Sequence, residues 1–334
     1  MIAITGTNGK TTVTTLVGEI LKLHNPKTVV AGNIGTPLTG LIPTLDENSV
    51  VVAEISSFQL ETIQNFRPKI SAVLNMTPDH LDRHGSMEVY IATKEKIFKN
   101  QRQNDKVVLN YDNPVTKKMI PSCDVVYFSK ETVPKSGVFF REGAVYATGD
   151  LMTENDLPIA NVSDFRIMTE NALAATAICL SLGVSADHIR CGLRSFKGVE
   201  HRLEFVSTID GVEYYNDSKA TNVDAAIKAL ESFDHQVVLI AGGVGKGADF
   251  GPWVRLFNER VSHLVLIGQT AEEIAKECSL VGFADFEMAD SLKAAVDIAK
   301  QRASKTVLFS PACASFDMFR DFEDRGRQFK SLVK

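Results

Sequence analysis

Within its first twelve residues the chain passes from an apolar strand, Ile2-Ala3-Ile4, through Thr5-Gly6-Thr7-Asn8-Gly9 into Lys10-Thr11-Thr12. A helical pattern, Val13 to Leu21, follows at once. This order brings a strand end, a glycine-rich turn and a helix N-terminus to one point. Backbone N–H groups at such a point hold nucleotide phosphates. Lys10 is placed to reach the β- and γ-phosphates, and the hydroxyl of Thr11 or Thr12 to sit on Mg²⁺. Ile4 stands where the strict pattern has its first glycine, so the loop is a shortened variant. An ordinary strand-to-helix turn has no need of Gly-Lys-Thr-Thr, and the segment reads as a nucleotide site.

The chain has 334 residues, too many for one ordinary domain and enough for two. Its 44% hydrophobic and 23% charged residues are those of a soluble globular protein. A net charge of −5 argues against a nucleic-acid partner, which asks for a basic patch. Anionic substrates would instead need lysines and arginines gathered locally. The cysteines Cys123, Cys179, Cys191, Cys278 and Cys313 form no Cys-x-x-Cys pair and have no His at zinc spacing, as reduced thiols in a cytoplasm would. Cys313 reads as a small buried residue. No apolar run is long enough to span a membrane and no signal peptide is visible, so no membrane partner is expected.

Up to about residue 195 strands alternate with helices. Short β-branched runs at Val29–Ala31, Val50–Ile55, Ile70–Asn75 and Val107–Asn110 suit buried parallel strands. Val125–Phe128, with Val138–Phe140 and Ala144–Tyr146 turned at Glu142-Gly143, suggests an antiparallel edge hairpin. An Ala-rich helix, Asn171 to Leu182, stops at Gly183, and Ser185 opens another. A boundary falls near Gly198, giving domains of residues 1–198 and 199–334. The alternation then restarts with helices Asp224–Phe233, Pro252–Glu259, Ala271–Cys278 and Leu292–Arg302, and a last one from Met318. Strands Val237–Ile240, Leu264–Gly268 and Thr306–Phe309 lie between them. The fold class is α/β: a P-loop-type ATPase domain with a mostly parallel sheet, then a doubly wound, Rossmann-like domain whose ligands gather at strand C-termini.

Polar clusters sit where strands end. Glu54 leaves a carboxylate at the end of Val50–Ala53, and Asn75 to His84 packs two acids, two imidazoles and an arginine into one turn. Mg²⁺ wants hard oxygen ligands and keeps waters and phosphates as the rest. Glu54 with Thr11 and Thr12 can supply the protein share, with His80 as a further ligand. Asp79 reads equally as a helix cap or a catalytic acid. In the second half, three polar loops follow three strands: Tyr215–Asn222, Ala241–Phe250 and Ser310–Phe319. They are expected to form one pocket.

Together Gly6–Thr12, Gly32-Asn33-Ile34-Gly35, Glu54–Leu60, His80–Arg83, His201-Arg202, Asn216–Asn222 and Ser310–Ser315 resemble the Mur ligases, in order and along essentially the whole chain. The Gly-Lys-Thr, Glu54 and His80 motifs extend to folylpolyglutamate synthase. Ser-Ser-Phe-Gln-Leu, Asn-Asp-Ser-Lys-Ala-Thr-Asn and Ser-Pro-Ala-Cys-Ala-Ser resemble the D-glutamate-adding branch. The family carries an N-terminal UDP-binding domain of ~100 residues that is not in these residues, so UDP is expected to bind poorly. The family's Gly-x-His-Asn adenine turn is also missing where Phe165-Arg166-Ile167 meets Met168-Thr169-Glu170-Asn171. Residues lost between Ile167 and Met168 would account for this.

The resemblance implies ATP-dependent amide ligation in the cytoplasm by a monomer, joining D-glutamate to UDP-N-acetylmuramoyl-L-alanine through an acyl phosphate. That step belongs to peptidoglycan synthesis, and so to cell shape and division. Alternatives are another amide ligase of the superfamily or a catalytically silent nucleotide-binding form. It implies that Lys10, Glu54, His80 and Lys94 are catalytic, that two Mg²⁺ ions bind, and that Lys94 is carbamylated, although Lys94 reads from sequence as one exposed helix lysine among several. Gly6, Thr7, Asn8, Gly9, Asn171, Arg202 and Asp217 would join Lys10, Thr11 and Thr12 around ATP. Asn33, Ser56, Lys219, Thr221, Lys246, Ser315, Phe316 and Phe322 would bind the other substrates.

Overall fold

The computed structural model describes residues 1–152, 157–165, 167–245 and 247–334, leaving aside the side chains of Asp82 and Asp164. The chain forms two compact units, Met1–Lys197 and Gly198–Lys334.

Nine strands build the sheet of the first unit: β1 (Ile2–Thr5), β2 (Thr28–Gly32), β3 (Val50–Glu54), β4 (Ile70–Val73), β5 (Lys106–Asn110), β6 (Asp124–Ser129), β7 (Gly137–Arg141), β8 (Ala144–Thr148) and β9 (Ala160–Asn161). Their order is β2-β3-β1-β4-β5-β6-β7-β8-β9. Strand β1 therefore sits between β3 and β4, where the chain's path across the sheet reverses, and the C-terminal crevice at such a point is where α/β sheets bind ligands. Strands β1 and β4 are buried along their full length, which is why they carry only apolar residues and the small polar Thr5 and Ser71.

The helix Lys10–His24 packs against Thr169–Ser181 and Ala186–Ser195. Close approach follows from small residues: Ala172, Ala174, Ala175 and Ala177 are buried, and a Cβ on Gly192 would stand 2.4 Å from Ile20 Cγ1. A second cluster, including Val73, Tyr90, Ile97, Val107 and Leu109, forms another part of this unit's core.

The expected antiparallel edge differs in detail. Strand β7 pairs with β8 antiparallel, but β6 pairs with β7 in parallel, and the two-residue β9 covers β8. The link from Lys130 to Ser136 carries the chain back so that β7 runs alongside β6, and no tight hairpin joins them.

In the second unit the strands are β10 (Glu204–Ile209), β11 (Val212–Asn216), β12 (Val237–Ala241), β13 (Val261–Leu266), β14 (Phe286–Met288) and β15 (Thr306–Phe309), in the order β10-β11-β15-β12-β13-β14. All neighbours are parallel except β10 with β11. Apolar clusters centred on Trp253 and Phe257, and on Phe309 and Phe329, form its core.

Two expected helices need correction. Pro252–Glu259 is two short helices, Gly251–Val254 and Phe257–Arg260. The last helix begins at Phe322, not Met318: the Asp321 carboxylate accepts from Asp324 N at 2.6 Å, and Met318 and Phe319 instead close a turn onto Ser315 O. Among the described residues no helix is long and apolar enough to cross a membrane.

Candidate active site

At the head of β1 the loop Gly6–Gly9 is pinned from beneath. Asn8 N donates to Asn75 Oδ1 at 2.8 Å and Asn75 Nδ2 donates back to Asn8 O at 3.1 Å. Thr7 Oγ1 donates to Thr77 O and accepts from Thr77 N, at 3.0 and 3.1 Å, and lies 3.2 Å from the Tyr90 hydroxyl. Lys10 Nζ donates to Gly6 O and Thr7 O at 3.0 and 2.7 Å, folding back across the loop. Gly9, the residue before the helix, has φ 83° and would place a Cβ 2.6 Å from Asn171 Oδ1. Gly9→Ala should therefore lower stability by about 1–3 kcal/mol, as melting curves would report.

Lys94 is not an exposed helix lysine. It is 2% exposed, with Nζ donating to Gly6 O at 2.9 Å and Thr5 Oγ1 at 3.2 Å. Desolvation first and the charge of Lys10 second hold its pKa well below the ordinary lysine value, while Asp79 and Glu54 oppose them. The helix Met87–Glu95 thus places Tyr90 and Lys94, one turn apart, under the Gly6–Gly9 loop.

Glu54 ends β3, paired in register with Ile4 of β1, and is also 2% exposed. Its Oε1 accepts from Asn33 Nδ2 at 2.9 Å, and Asn33 N donates to Glu54 O at 2.9 Å. Gly32 (φ 108°) permits this contact, since a Cβ there would stand 2.2 Å from Glu54 O. Glu54 Oε2 and Thr12 Oγ1 are buried without a hydrogen-bond partner. Orphaned oxygens are costly to bury. A cation that takes one or two protein oxygens and fills the rest with water and phosphate suits both of them. Among the described residues no group of three or more His, Cys, Asp or Glu side chains could hold a metal unaided.

His80 has φ 52° and its ring edge-on to Phe58 at 5.0 Å. Asp79 does not cap the helix Leu81–His84: its Oδ1 accepts from His80 N at 3.0 Å. Ser56 and Gln59 form a reciprocal capping box on Ser57–Glu61, so two residues of the Ser-Ser-Phe-Gln motif hold the backbone. Ser57 Oγ meets the buried His84 Nε2 at 3.0 Å, and the His84 ring lies 5.2 Å from Tyr90. His84 and Tyr90 link the Ser57 turn to Thr7 of the Gly6–Gly9 loop, a role that sequence spacing does not signal.

In the second unit β11, β15 and β12 are neighbours, so their C-terminal loops meet. Asp217 accepts from Leu203 N at 3.1 Å and from Ser310 Oγ at 2.8 Å; burial pushes its carboxyl up to about 6, against the pull of Arg202. Val244 and Ala314 exchange backbone hydrogen bonds at 2.9 and 3.0 Å. Lys219 Nζ stands 5.3 Å over the Phe322 ring. Thr221 is half-buried, Ser315 buried and Phe316 71% exposed. Lys246 lies outside the described residues. His201, buried beside Arg202, has Nδ1 2.9 Å from Asn216 Nδ2, and Gly326 leaves room for its ring. Cys313 is fully buried, with Sγ 3.3 Å from Thr270 Oγ1.

Residues 4–179 match the Mur ligase middle domain and residues 201–313 the Mur ligase glutamate ligase domain. The chain is 48% identical over 341 residues to UDP-N-acetylmuramoylalanine–D-glutamate ligase of Thermoanaerobacter sp. strain X514, covering 99% of this chain and 74% of that protein. To the same-named protein of Lachnospira eligens it is 47% identical over 342 residues, covering 100% and 75%. Among solved structures, MurF ligase from Thermotoga maritima in complex with ADP superposes with a TM-score of 0.72 at 18% identity, over 99% of this chain and 79% of that one. Escherichia coli FolC in complex with DHPP and ADP gives a TM-score of 0.67 at 17% identity, over 99% and 88%. At such identities these two structures speak to the fold alone.

Proposed function

The chain belongs to the Mur ligases, and from that premise we propose that it joins D-glutamate to UDP-N-acetylmuramoylalanine with ATP, as a step of peptidoglycan synthesis. What carries this reading is the 48% identity to a D-glutamate ligase across 99% of the chain. The first unit is the ATP domain in this reading and the second the amino-acid domain, working as a cytoplasmic monomer.

The reaction must bring anions together. The substrate carboxylate attacks the γ-phosphorus and ADP leaves; the amine of D-glutamate then attacks the acyl carbon and phosphate departs with the carboxylate oxygen. Fixed cations and dipoles aimed at the phosphates supply most of the stabilisation in such transfers. Thr7 N and Asn8 N donate to Asn75 and fix the shape of the Gly6–Gly9 turn; the turn would hold the phosphates against the N-terminus of the helix Lys10–His24, and Lys10 would turn from the loop carbonyls to them. Within the first unit Asn171 completes the nucleotide contacts. Mg²⁺ would be held by Glu54 Oε2 and a hydroxyl of Thr11 or Thr12, with a second ion near His80 and Lys94. Bound there, it neutralises phosphate charge. Asn33 and Ser56 face the acyl group.

Lys94 carries the chemistry for carbamylation. Its depressed pKa raises the share of neutral amine, which attacks CO₂ and releases a proton. The resulting anion would stand beside Lys10 in place of a second cation. Isotope-labelled bicarbonate should leave a carbamate signal that Lys94→Ala abolishes.

Lys219 and Lys246 would answer the two carboxylates of D-glutamate, with Thr221, Ser315, Phe316 and Phe322 around it. Lys219→Ala should raise the D-glutamate KM roughly tenfold or more, since a charge-assisted hydrogen bond contributes ~1.5–3 kcal/mol. The KM for ATP should hold. A substrate labelled with ¹⁸O in its carboxylate tests the acyl phosphate: the label should appear in released phosphate, and unlabelled phosphate would exclude it.

A further inference from the structure

The helix that follows the Ser310–Phe319 loop carries an arginine where its spacing calls for an apolar residue. Phe329 and Val333 are buried on the same face as Arg325, which is 1% exposed. Packing alone does not explain a guanidinium there, because a hydrophobic side chain of similar volume serves a core at least as well. Its donors have defined targets. Arg325 Nε donates to Ser218 Oγ at 2.9 Å, Nη2 to Ser218 O at 2.7 Å and Nη1 to Cys313 O at 3.0 Å. Ser218 Oγ in turn donates to Phe322 O at 2.8 Å, tying the same loop to the first turn of the helix. One side chain thus joins the loop after β11, the loop after β15 and the start of the last helix.

These three segments carry Lys219 and Thr221, Ser315 and Phe316, and Phe322. Ser218 adjoins Lys219 in sequence, and Cys313 lies two residues before Ser315. We propose that Arg325 is the positioning residue of the D-glutamate pocket, its planar fork setting the distance between the two loops that grip the amino acid. The inference rests on the D-glutamate reading above. Arg325 touches no reacting atom in this account and acts through Ser218 and Cys313. The directional fork is what matters: a lysine keeps the charge but cannot span three acceptors in one plane.

The test measures saturation with D-glutamate and with ATP for the wild type, Arg325→Lys and Ser218→Ala, each checked by thermal melting. Arg325→Lys should raise the D-glutamate KM about tenfold or more, lower kcat less than that, and leave the ATP KM within about twofold. Ser218→Ala, which removes one acceptor and the Phe322 link, should move the D-glutamate KM in the same direction by less. Equal shifts in both KM values, or an unchanged D-glutamate KM in folded variants, would overturn the proposal. Should Arg325→Lys not fold, Ser218→Ala decides alone by the same criterion. A wild type that does not saturate with D-glutamate would overturn the functional reading and this inference together, whereas a saturable wild type with unmoved variants would overturn only the inference.

Discussion

Lys10→Ala is expected to abolish ATP-dependent ligation while the protein keeps its fold. The side chain's hydrogen bonds go to two carbonyls of the loop it stands on, Gly6 O and Thr7 O, and Gly6 O keeps Lys94 Nζ as a donor when they are lost. The rate should suffer far more, because a preorganised cation at the transferring phosphate acts where charge develops. Loss of a single such group costs ~10²–10³ in kcat. A melting temperature near that of the wild type, together with ADP release at or below a hundredth of the wild-type rate, is the expected pair. Full ligation by a folded Lys10→Ala protein would remove the phosphate-loop assignment.

Glu54→Gln should be nearly as severe, with a different signature. The amide keeps the shape of the side chain, and its oxygen can still accept from Asn33 Nδ2. What it loses is the charge at Oε2, the buried oxygen with no hydrogen-bond partner. If that atom is a cation ligand, the Mg²⁺ concentration for half-maximal activity should rise at least about tenfold, and part of the lost rate should return at high Mg²⁺. If the carboxylate is only a structural partner of Asn33, the Mg²⁺ dependence should not move. Titrating activity against Mg²⁺ in both proteins separates the two.

The phosphate loop is legible in sequence because its physics is local. A buried strand, glycines at the turn and a lysine at the helix start are contiguous in sequence, and the structure places β1 between β3 and β4. The three polar loops of the second unit are legible for a related reason: parallel strands put their C-terminal ends on one side. Lys94 is less legible, since a lysine on a helix reads as exposed until a tertiary contact, here the Gly6 carbonyl, covers it. Ser56 and Gln59 show a further limit, because a capping box uses the same polar residues as a binding motif and spacing does not separate the two roles. Arg325 could have been noticed from its spacing with Phe329 and Val333, yet only the fold supplies Ser218 and Cys313 as its partners. The two short strands β9 and β14 have no sequence signal of their own, being two and three residues long and set by their neighbours.

The central claim is that this chain activates a carboxylate with ATP and transfers it to D-glutamate in particular. Its most direct test is ADP release by the purified chain with ATP, Mg²⁺ and a high concentration of UDP-N-acetylmuramoylalanine, on adding D-glutamate or, in parallel, L-glutamate and other amino acids. The account predicts ADP release that needs the precursor and is strongest with D-glutamate, with one ligated product per ADP. ADP release driven best by a different amino acid, or none above background with D-glutamate, would contradict it.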